Sequence, residues 1–327
     1  MPTLPAVLRR TFLFVALCAP GLAPAAPTLA SLLAAPAPEE RVYRRIADRE
    51  LRLFVFAPPA SAAANAAAAS AVRPAVVFFH GGAWRGGSPE VFFPHARYFA
   101  TRGLVAISVE YRLVTPQVLG VADCVDDARA ALRFVRAHAA SLGVDPARIA
   151  AGGDSAGGHL ASCLATVPGG DSASRPDALL LYNPVLDLTV GDWVRFVLGG
   201  ARLDLKGAAQ PPASPAELAR AAALSPVLHV ATGLPPTLLV QGTDDKVTPP
   251  VHAERFAAAA REAGARCELQ LLSATGHAFV VPRYKAPESV VAEAIRSADR
   301  FLASLGWVSG EPTLALSEPP AWTPRQP

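Results

Sequence analysis

The chain has 327 residues, 51% of them hydrophobic and 17% charged, with 30 Lys and Arg residues against 27 Asp and Glu residues. This length allows one large or two medium domains with a substantial core, and the hydrophobic fraction excludes a wholly disordered chain. The near balance of charge, with no run of five or more basic residues, gives no indication of nucleic-acid binding.

Residues 1–25 have the organisation of an export signal. Arg9 and Arg10 precede an apolar stretch over residues 11–23, and Ala- and Pro-rich sequence follows it. The apolar stretch is shorter than the roughly 20 residues that a membrane-spanning helix needs. We therefore expect cleavage after Ala25 and export of the mature protein to the periplasm or the extracellular space.

The export route stays open at this stage. The segment from Arg9 to Leu13 resembles a twin-arginine signal, but paired arginines also occur in ordinary signals. An uncleaved N-terminal anchor is an alternative, and Leu17 disfavours a lipoprotein cleavage at Cys18. Removal of Cys18 leaves three cysteines, which allow at most one disulfide: Cys124, Cys163 and Cys267.

The mature chain is expected to form one folded domain over residues 41–306, preceded by an Ala- and Pro-rich linker over residues 26–40. Residues 42–56 alternate as one or two strands, and the Ala-rich residues 60–71 are interpreted as a surface excursion. Strands and helices then alternate, with strands at 75–79, 104–109, 149–151, 178–182, 237–240 and 267–272, and helices at 126–139, 156–166, 251–263 and 289–305. Repeated units of this kind predict an α/β fold, a mostly parallel central sheet flanked by helices on both faces.

Two segments depart from the alternation. Residues 190–224 contain Trp193 and the pair Pro211-Pro212, and we expect a small cap insertion over the carboxyl edge of the sheet, where open α/β sheets bind ligands. An ordinary long loop with a helix is the alternative. Residues 307–327 carry five prolines after Gly310 and are expected to form an extended tail.

The pentapeptide from Gly153 to Gly157 has the pattern G-x-S-x-G, follows a predicted strand and opens a predicted helix. A tight turn in this context projects the Ser155 hydroxyl above the sheet, and the glycines are needed because a Cβ there would clash. The amide of Ala156, at the start of the helix, is aimed at developing negative charge. The pattern predicts Ser155 as a nucleophile and Ala156 as one donor of an oxyanion hole.

A second motif, His80-Gly81-Gly82-Ala83-Trp84, directly follows the predicted strand 75–79. Small residues at this position let backbone amides approach a substrate oxygen, so we predict that Gly82 and Ala83 complete the oxyanion hole. His80 ends a buried strand and is interpreted as structural.

A serine nucleophile needs a base, and the base needs an orienting acid. Of the seven histidines, His277 lies in the loop between the last predicted strand and the final helix and is the predicted base, with His229 as a weaker competitor. Asp245 is the predicted acid because it lies deeper than Asp244 in the turn after the strand 237–240, and Asp244 is the alternative. The resulting order, Ser155, Asp245, His277, is that of α/β hydrolases.

Together these motifs make residues 72–306 similar to the carboxylesterase branch of the α/β-hydrolase superfamily, above all to its hormone-sensitive-lipase-like and feruloyl/acetyl-esterase-like groups. The resemblance implies Ser155 as nucleophile, His277 as base and Asp245 as its partner. It also implies an oxyanion hole at Gly82, Ala83 and Ala156. Ala83 stands where the lipase-like group usually has a third glycine, which favours the acetyl-esterase-like group.

The expected function is that of an exported serine esterase acting on short-chain carboxylic esters, with acetyl esters on carbohydrates as the expected substrates. A general aryl or alkyl carboxylesterase, a formamidase-like amidase and, remotely, a non-catalytic binding module on the same fold are the alternatives. The mechanism requires no metal or cofactor, and the Cys and His spacings match no zinc site. An ester substrate is the expected partner, without nucleic acid and without a membrane span in the mature chain. The oligomeric state stays open.

Overall fold

A computed structural model of the protein describes residues 26–59, 72–115, 120–191, 193–194 and 213–316. These residues contain one eight-stranded sheet with the spatial order β1-β2-β4-β3-β5-β6-β7-β8. Its strands are β1 (Glu39–Ile46), β2 (Arg49–Phe56), β3 (Arg73–Phe79), β4 (Val105–Val109), β5 (Val144–Asp154), β6 (Ala178–Tyr182), β7 (Thr237–Gly242) and β8 (Cys267–Leu272). β1 and β2 form an antiparallel hairpin, β2 pairs antiparallel with β4, and the other neighbouring strands are parallel.

Helices cover both faces of the sheet. They are α1 (Leu29–Leu33), α2 (Phe93–Thr101), α3 (Val121–Ala137), α4 (Ala139–Leu142), α5 (Ala156–Thr166), α6 (Pro215–Ala223), α7 (Pro250–Glu262) and α8 (Glu288–Ser304). Along β3 the side chains alternate between two apolar clusters, with Val77 and Phe79 in the cluster that includes α3, α5 and α7, and Val76 and Phe78 in the cluster that includes α1, α2 and α8. Burial on both faces explains why this strand is a continuous apolar run. The predicted α/β fold is confirmed.

The helix α2 is among those that were not predicted. α2 carries Pro94 in its first turn, next to Phe93. A proline usually suggests a helix end, but at the first turn it removes no hydrogen bond because the first amides of a helix have no intrahelical acceptor. The buried side chains of Tyr98 and Phe99 then fix the helix against the sheet.

The expected linker over residues 26–40 is wrong in part, because this segment packs onto the domain. Thr28 and Ser31 cap α1 reciprocally, and Leu29 and Leu32 are buried beside α2. Arg97 of α2 donates hydrogen bonds to the carbonyls of Leu32 (2.8 Å) and Pro36 (2.9 Å). Two leucines one turn apart supply enough apolar surface to dock even a five-residue helix.

The tail also packs against the domain where it is described. Leu314 is buried, and the amide of Ala315 donates to the carbonyl of Pro27 at 2.9 Å. The remainder of the expected tail, residues 317–327, lies outside the described residues, as do the expected signal (1–25), the Ala-rich excursion (60–71) and residues 192 and 195–212 of the expected cap.

Within the described part of the chain, no helix combines the length and the apolar character needed to cross a membrane. Cys124 and Cys163 are buried and Cys267 is half-buried, and all three are free thiols.

Candidate active site

The turn between β5 and α5 holds Ser155 in an uncommon backbone conformation, with φ 50° and ψ −117°. A positive φ is costly for a residue with a side chain and is maintained only by its surroundings. Here the Ser155 amide donates to the carbonyl of Tyr182 at 3.0 Å. The turn also needs Gly157, since a Cβ there would lie 1.9 Å from the carbonyl oxygen of Phe79. This turn therefore holds Ser155 at the edge of a cavity of about 440 Å³.

His277 approaches Ser155 from the loop between β8 and α8. Its Nε2 lies 2.9 Å from Ser155 Oγ, and its Nδ1 lies 2.7 Å from Oδ2 of Asp245. With the Nδ1 proton donated to the carboxylate, Nε2 is free to accept the serine proton. The structure thus brings the three residues singled out in the sequence into one hydrogen-bonded chain.

Asp245 is fixed by several donors in the turn that follows β7. One carboxylate oxygen accepts the amides of Val247 (2.8 Å) and Thr248 (2.9 Å). The other accepts the Thr248 hydroxyl (2.8 Å) and the Gln241 amide (3.1 Å), besides His277. Burial by itself raises the pKa of Asp245, but the hydrogen bonds from His277 and Thr248 outweigh it, so the pKa lies below its ordinary value. The carboxylate therefore stays charged.

The alternative acid, Asp244, is exposed and is directed elsewhere. Its amide donates to the carbonyl of Thr275 at 2.9 Å, and its carboxylate accepts the Thr243 hydroxyl at 3.3 Å. Adjacent residues of the turn point in different directions, and only the deeper one reaches His277.

The loop after β3 lines the same cavity as Ser155. Gly82 has φ +112°, and a Cβ there would lie 2.2 Å from the carbonyl oxygen of Gly86. Gly82 and Ala83 both line the cavity, and their amides have no hydrogen-bond acceptor among the described residues. Ala156 is the first residue of α5, so its amide has no intrahelical acceptor either. All three predicted oxyanion-hole residues thus adjoin the nucleophile or its cavity.

Asp154 is a site residue that the sequence analysis overlooked. Its buried carboxylate directly precedes Ser155 and accepts the Gly81 amide at 2.7 Å, which ties the turn at Ser155 to the loop that carries Gly82 and Ala83. Burial raises the pKa of Asp154 to about 6, although the Gly81 amide and the nearby His277 lower it. The available signal was its position, a carboxylate directly before the nucleophile.

Four other histidines each bind a backbone carbonyl, among them His138, whose Nδ1 lies 2.9 Å from the carbonyl oxygen of Phe134. His80 Nδ1 lies 2.7 Å from the carbonyl oxygen of Gly81, and its ring stacks on Tyr111 at a centroid distance of 4.3 Å. His159 and His229 bind the carbonyls of Leu224 (2.8 Å) and Ala222 (2.9 Å) through Nε2. Burial lowers the pKa of both His80 and His159 to about 4, so these two rings stay neutral around neutral pH.

The lining of the cavity is largely apolar. It includes Trp193, Val247, Val281 and the exposed side chains of Tyr284 and Lys285. Trp193 belongs to the expected cap and packs edge-on against the buried Trp84 at a centroid distance of 5.9 Å. A cavity of this size and lining accommodates a small organic ligand. In the described ranges, no three His, Cys, Asp or Glu side chains gather into a cluster that could hold a metal.

A family model of the alpha/beta hydrolase fold matches residues 76–281, more than half of the chain. This chain is an alpha/beta hydrolase. The matched range includes the nucleophile turn, the loop after β3, the turn after β7 and the loop that carries His277. The hydrolase is also similar to solved structures of an esterase from the Planctomycetes species Thermogutta terrifontis, at 35% identity and a TM-score of 0.70 over 84% of this chain and 97% of that one.

Curated relatives include two proteins of Mycobacterium tuberculosis. The hydrolase is 44% identical to carboxylesterase NlhH over 95 residues and 29% identical to esterase LipQ over 269 residues. These alignments cover 28% and 76% of the hydrolase. The hydrolase spans only 28% of the length of NlhH and 60% of that of LipQ.

Proposed function

We propose that this hydrolase is a serine esterase that cleaves short-chain carboxylic esters through a covalent acyl-enzyme. The observation that carries the proposal is the continuous hydrogen-bonded chain from Ser155 through His277 to Asp245, with distances of 2.9 and 2.7 Å. A hydroxyl, an imidazole and a buried carboxylate in this order are the components of nucleophilic acyl transfer.

In the proposed reaction, His277 Nε2 takes the proton of Ser155 as its oxygen attacks the ester carbonyl. The charged Asp245 stabilises the imidazolium, and the amides of Gly82, Ala83 and Ala156 hold the oxyanion. His277 then returns the proton to the departing alcohol. Water, activated by the same imidazole, releases the acid and regenerates Ser155.

A short acyl group fits the proposed site. Trp193 and Val247 line the cavity, whose volume of about 440 Å³ limits the room for a long chain. The similar esterase of Thermogutta terrifontis has been solved with propionate bound and with butyrate bound. We infer a preference for acyl chains no longer than these.

The proposal extends to acetyl esters on carbohydrates and to an exported protein. The loop from His80 to Trp84 resembles that of acetyl-esterase-like enzymes, and Tyr284, 61% exposed, offers an aromatic face at the mouth of the cavity. Export depends on residues 1–25. N-terminal sequencing of protein recovered outside the cytoplasm tests it, with Ala26 expected as the first residue.

Hydrolysis of 4-nitrophenyl acetate, butyrate and octanoate, beside acetylated xylan, tests the enzymatic proposal against Ser155→Ala. We expect activity that falls with chain length, acetate released from xylan and loss of turnover in the variant. Activity on the aryl esters alone would indicate a general carboxylesterase. Turnover of formamides without ester turnover would indicate an amidase, and inactivity on every substrate would favour a binding module.

A covalent probe tests the nucleophile directly. Thermogutta terrifontis esterase 2 has been solved phosphorylated by paraoxon. We expect paraoxon to inactivate this hydrolase by transferring its diethylphosphoryl group to Ser155 Oγ with release of 4-nitrophenolate. Peptide mass spectrometry identifies the modified residue, and a label elsewhere would contradict the assignment.

A further inference from the structure

Two cavities share His277 in their linings. The first, described above, holds Ser155, and a second of about 370 Å³ lies against the loop that carries His277 and the start of α8. Three of its lining residues carry hydroxyl groups: Ser273, Thr275 and Ser289. His277 and Lys285 line both cavities. The second cavity is large enough for a group the size of a single sugar or benzoate ring.

The proposed reaction fixes where the carbonyl oxygen and the alcohol oxygen of the ester must lie in the site. The carbonyl oxygen must face the amides of Gly82 and Ala83, whereas the alcohol oxygen must lie within hydrogen-bond reach of His277 Nε2, which protonates it. The departing alcohol is therefore on the His277 side. A cavity that borders His277 is placed to receive the rest of that alcohol.

Lys285 brings a positive charge to the lining of the second cavity. Lys285 forms no ion pair within the described residues, and its ammonium lies 5.1 Å from the ring centroid of Tyr284. No carboxylate lines the second cavity. The acid of the first cavity, Asp154, is already bound to the Gly81 amide at 2.7 Å. A cation at a cavity that no carboxylate lines favours an anionic partner.

We propose that the second cavity is a leaving-group subsite for esters whose alcohol carries an anionic group, such as a hydroxy acid or a sugar acid, and that Lys285 binds this group. The inference rests on the proposed esterase function and deepens it, because it names the class of alcohol. The reaction stays a simple hydrolysis: ester and water give the free acid and the anionic alcohol.

The test compares 3- and 4-acetoxybenzoate with the neutral 3- and 4-acetoxybenzamide, which have the same acyl group and the same ring. We expect kcat/KM to be about 5-fold higher for the better anionic ester than for its neutral amide counterpart. A preference of this size corresponds to the strength of a partly exposed ion pair. Raising the ionic strength from roughly 0.05 to 0.5 M is expected to reduce this ratio.

Variants assign the preference to its residue. Lys285→Gln is expected to bring the ratio of anionic to neutral substrate to about one, and Lys285→Glu to invert it. Arg283→Gln is the matched control, because it removes an exposed cation two residues away that lines neither cavity, and its ratio should equal that of the wild type. Ser289→Phe fills part of the second cavity and is expected to raise KM for the anionic ester.

The outcomes separate the two proposals. A wild-type ratio of one or less, or a ratio that survives Lys285→Gln, overturns the subsite while turnover of the neutral esters upholds the esterase. Absence of turnover on all these esters and on 4-nitrophenyl acetate, in wild type and Ser155→Ala alike, overturns the esterase itself and the subsite with it.

Discussion

Two carboxylates near the same histidine differ in the sign of their pKa shift. Asp245, in the turn after β7, and Asp154, in the turn after β5, are both almost fully buried. The pKa of Asp245 lies below its ordinary value, whereas burial raises that of Asp154 to about 6.

The number of donors accounts for the difference. Asp245 accepts from two backbone amides, a hydroxyl, a side-chain amide and His277, so its charge is compensated in the folded protein. Asp154 accepts the Gly81 amide as its one hydrogen bond to another described residue. Burial destabilises a carboxylate unless enough donors replace its water. One turn thus holds an acid that stays charged beside His277, and the other holds an acid that is bonded to the loop after β3.

The largest effect is expected from Asp245→Asn. The amide cannot stabilise the imidazolium and favours the wrong tautomer of His277, so kcat should fall on the order of 10⁴-fold. Steady-state kinetics on 4-nitrophenyl acetate measure it. Asp244→Asn, one residue away and exposed, is the matched control and should retain nearly all activity. The reverse result would assign the acid to Asp244.

The next effect concerns the contact from Asp154 to the loop after β3. Asp154→Ala frees the Gly81 amide and lets Gly82 and Ala83 move, so we expect kcat to fall by about 10- to 100-fold with a smaller change in KM. Asp154→Asn keeps an oxygen acceptor and should restore most of the activity. Equal losses in both variants would show that the charge, and not the hydrogen bond, is required.

A smaller effect is expected from Thr248→Val, which removes the hydroxyl bonded to Asp245 and leaves the backbone amides in place. Weaker support of the carboxylate should lower kcat by roughly 3- to 10-fold. Thr248→Ser retains the hydroxyl and should behave as the wild type. A Thr248→Val variant with full activity would mean that the two backbone amides suffice.

The smallest effect is on stability and has opposite signs for the two acids. Because the pKa of Asp154 is raised on folding, its contribution to the free energy of unfolding is present below about pH 4 and is lost as the pH rises through about 6. Asp154→Asn should therefore gain stability over the wild type from pH 4 to 7, on the order of 1 kcal/mol.

For Asp245 the pKa is lowered, so its contribution is present above about pH 4, the ordinary range of the carboxyl, and is lost as the pH falls below that value. Asp245→Asn should be less stable than the wild type at neutral pH, with the difference shrinking in acid. Urea unfolding across this pH range measures both variants. Parallel curves for the two would contradict the comparison.

The central strands and the nucleophile turn were accessible from sequence because their signals are local. A buried parallel strand is a continuous apolar run, and the turn at Ser155 requires small neighbours such as Gly157. The predicted bounds of β6, α5 and β8 agree with the structure to the residue. The five residues of α1 are too few to show a helical pattern in the sequence. Packing of Leu29 and Leu32 against α2 stabilises this helix instead.

The sequence by itself determined the order of strands and helices, the strained turn at Ser155 and a short list of candidate acids and bases, since each depends on neighbouring residues. Only the tertiary structure decided which aspartate meets His277, that Asp154 holds the loop after β3, and that Lys285 lies between two cavities. These contacts join residues far apart in the chain, 73 positions in the case of Gly81 and Asp154. Their distances follow from how the parallel strands align at one edge of the sheet, which no local pattern records.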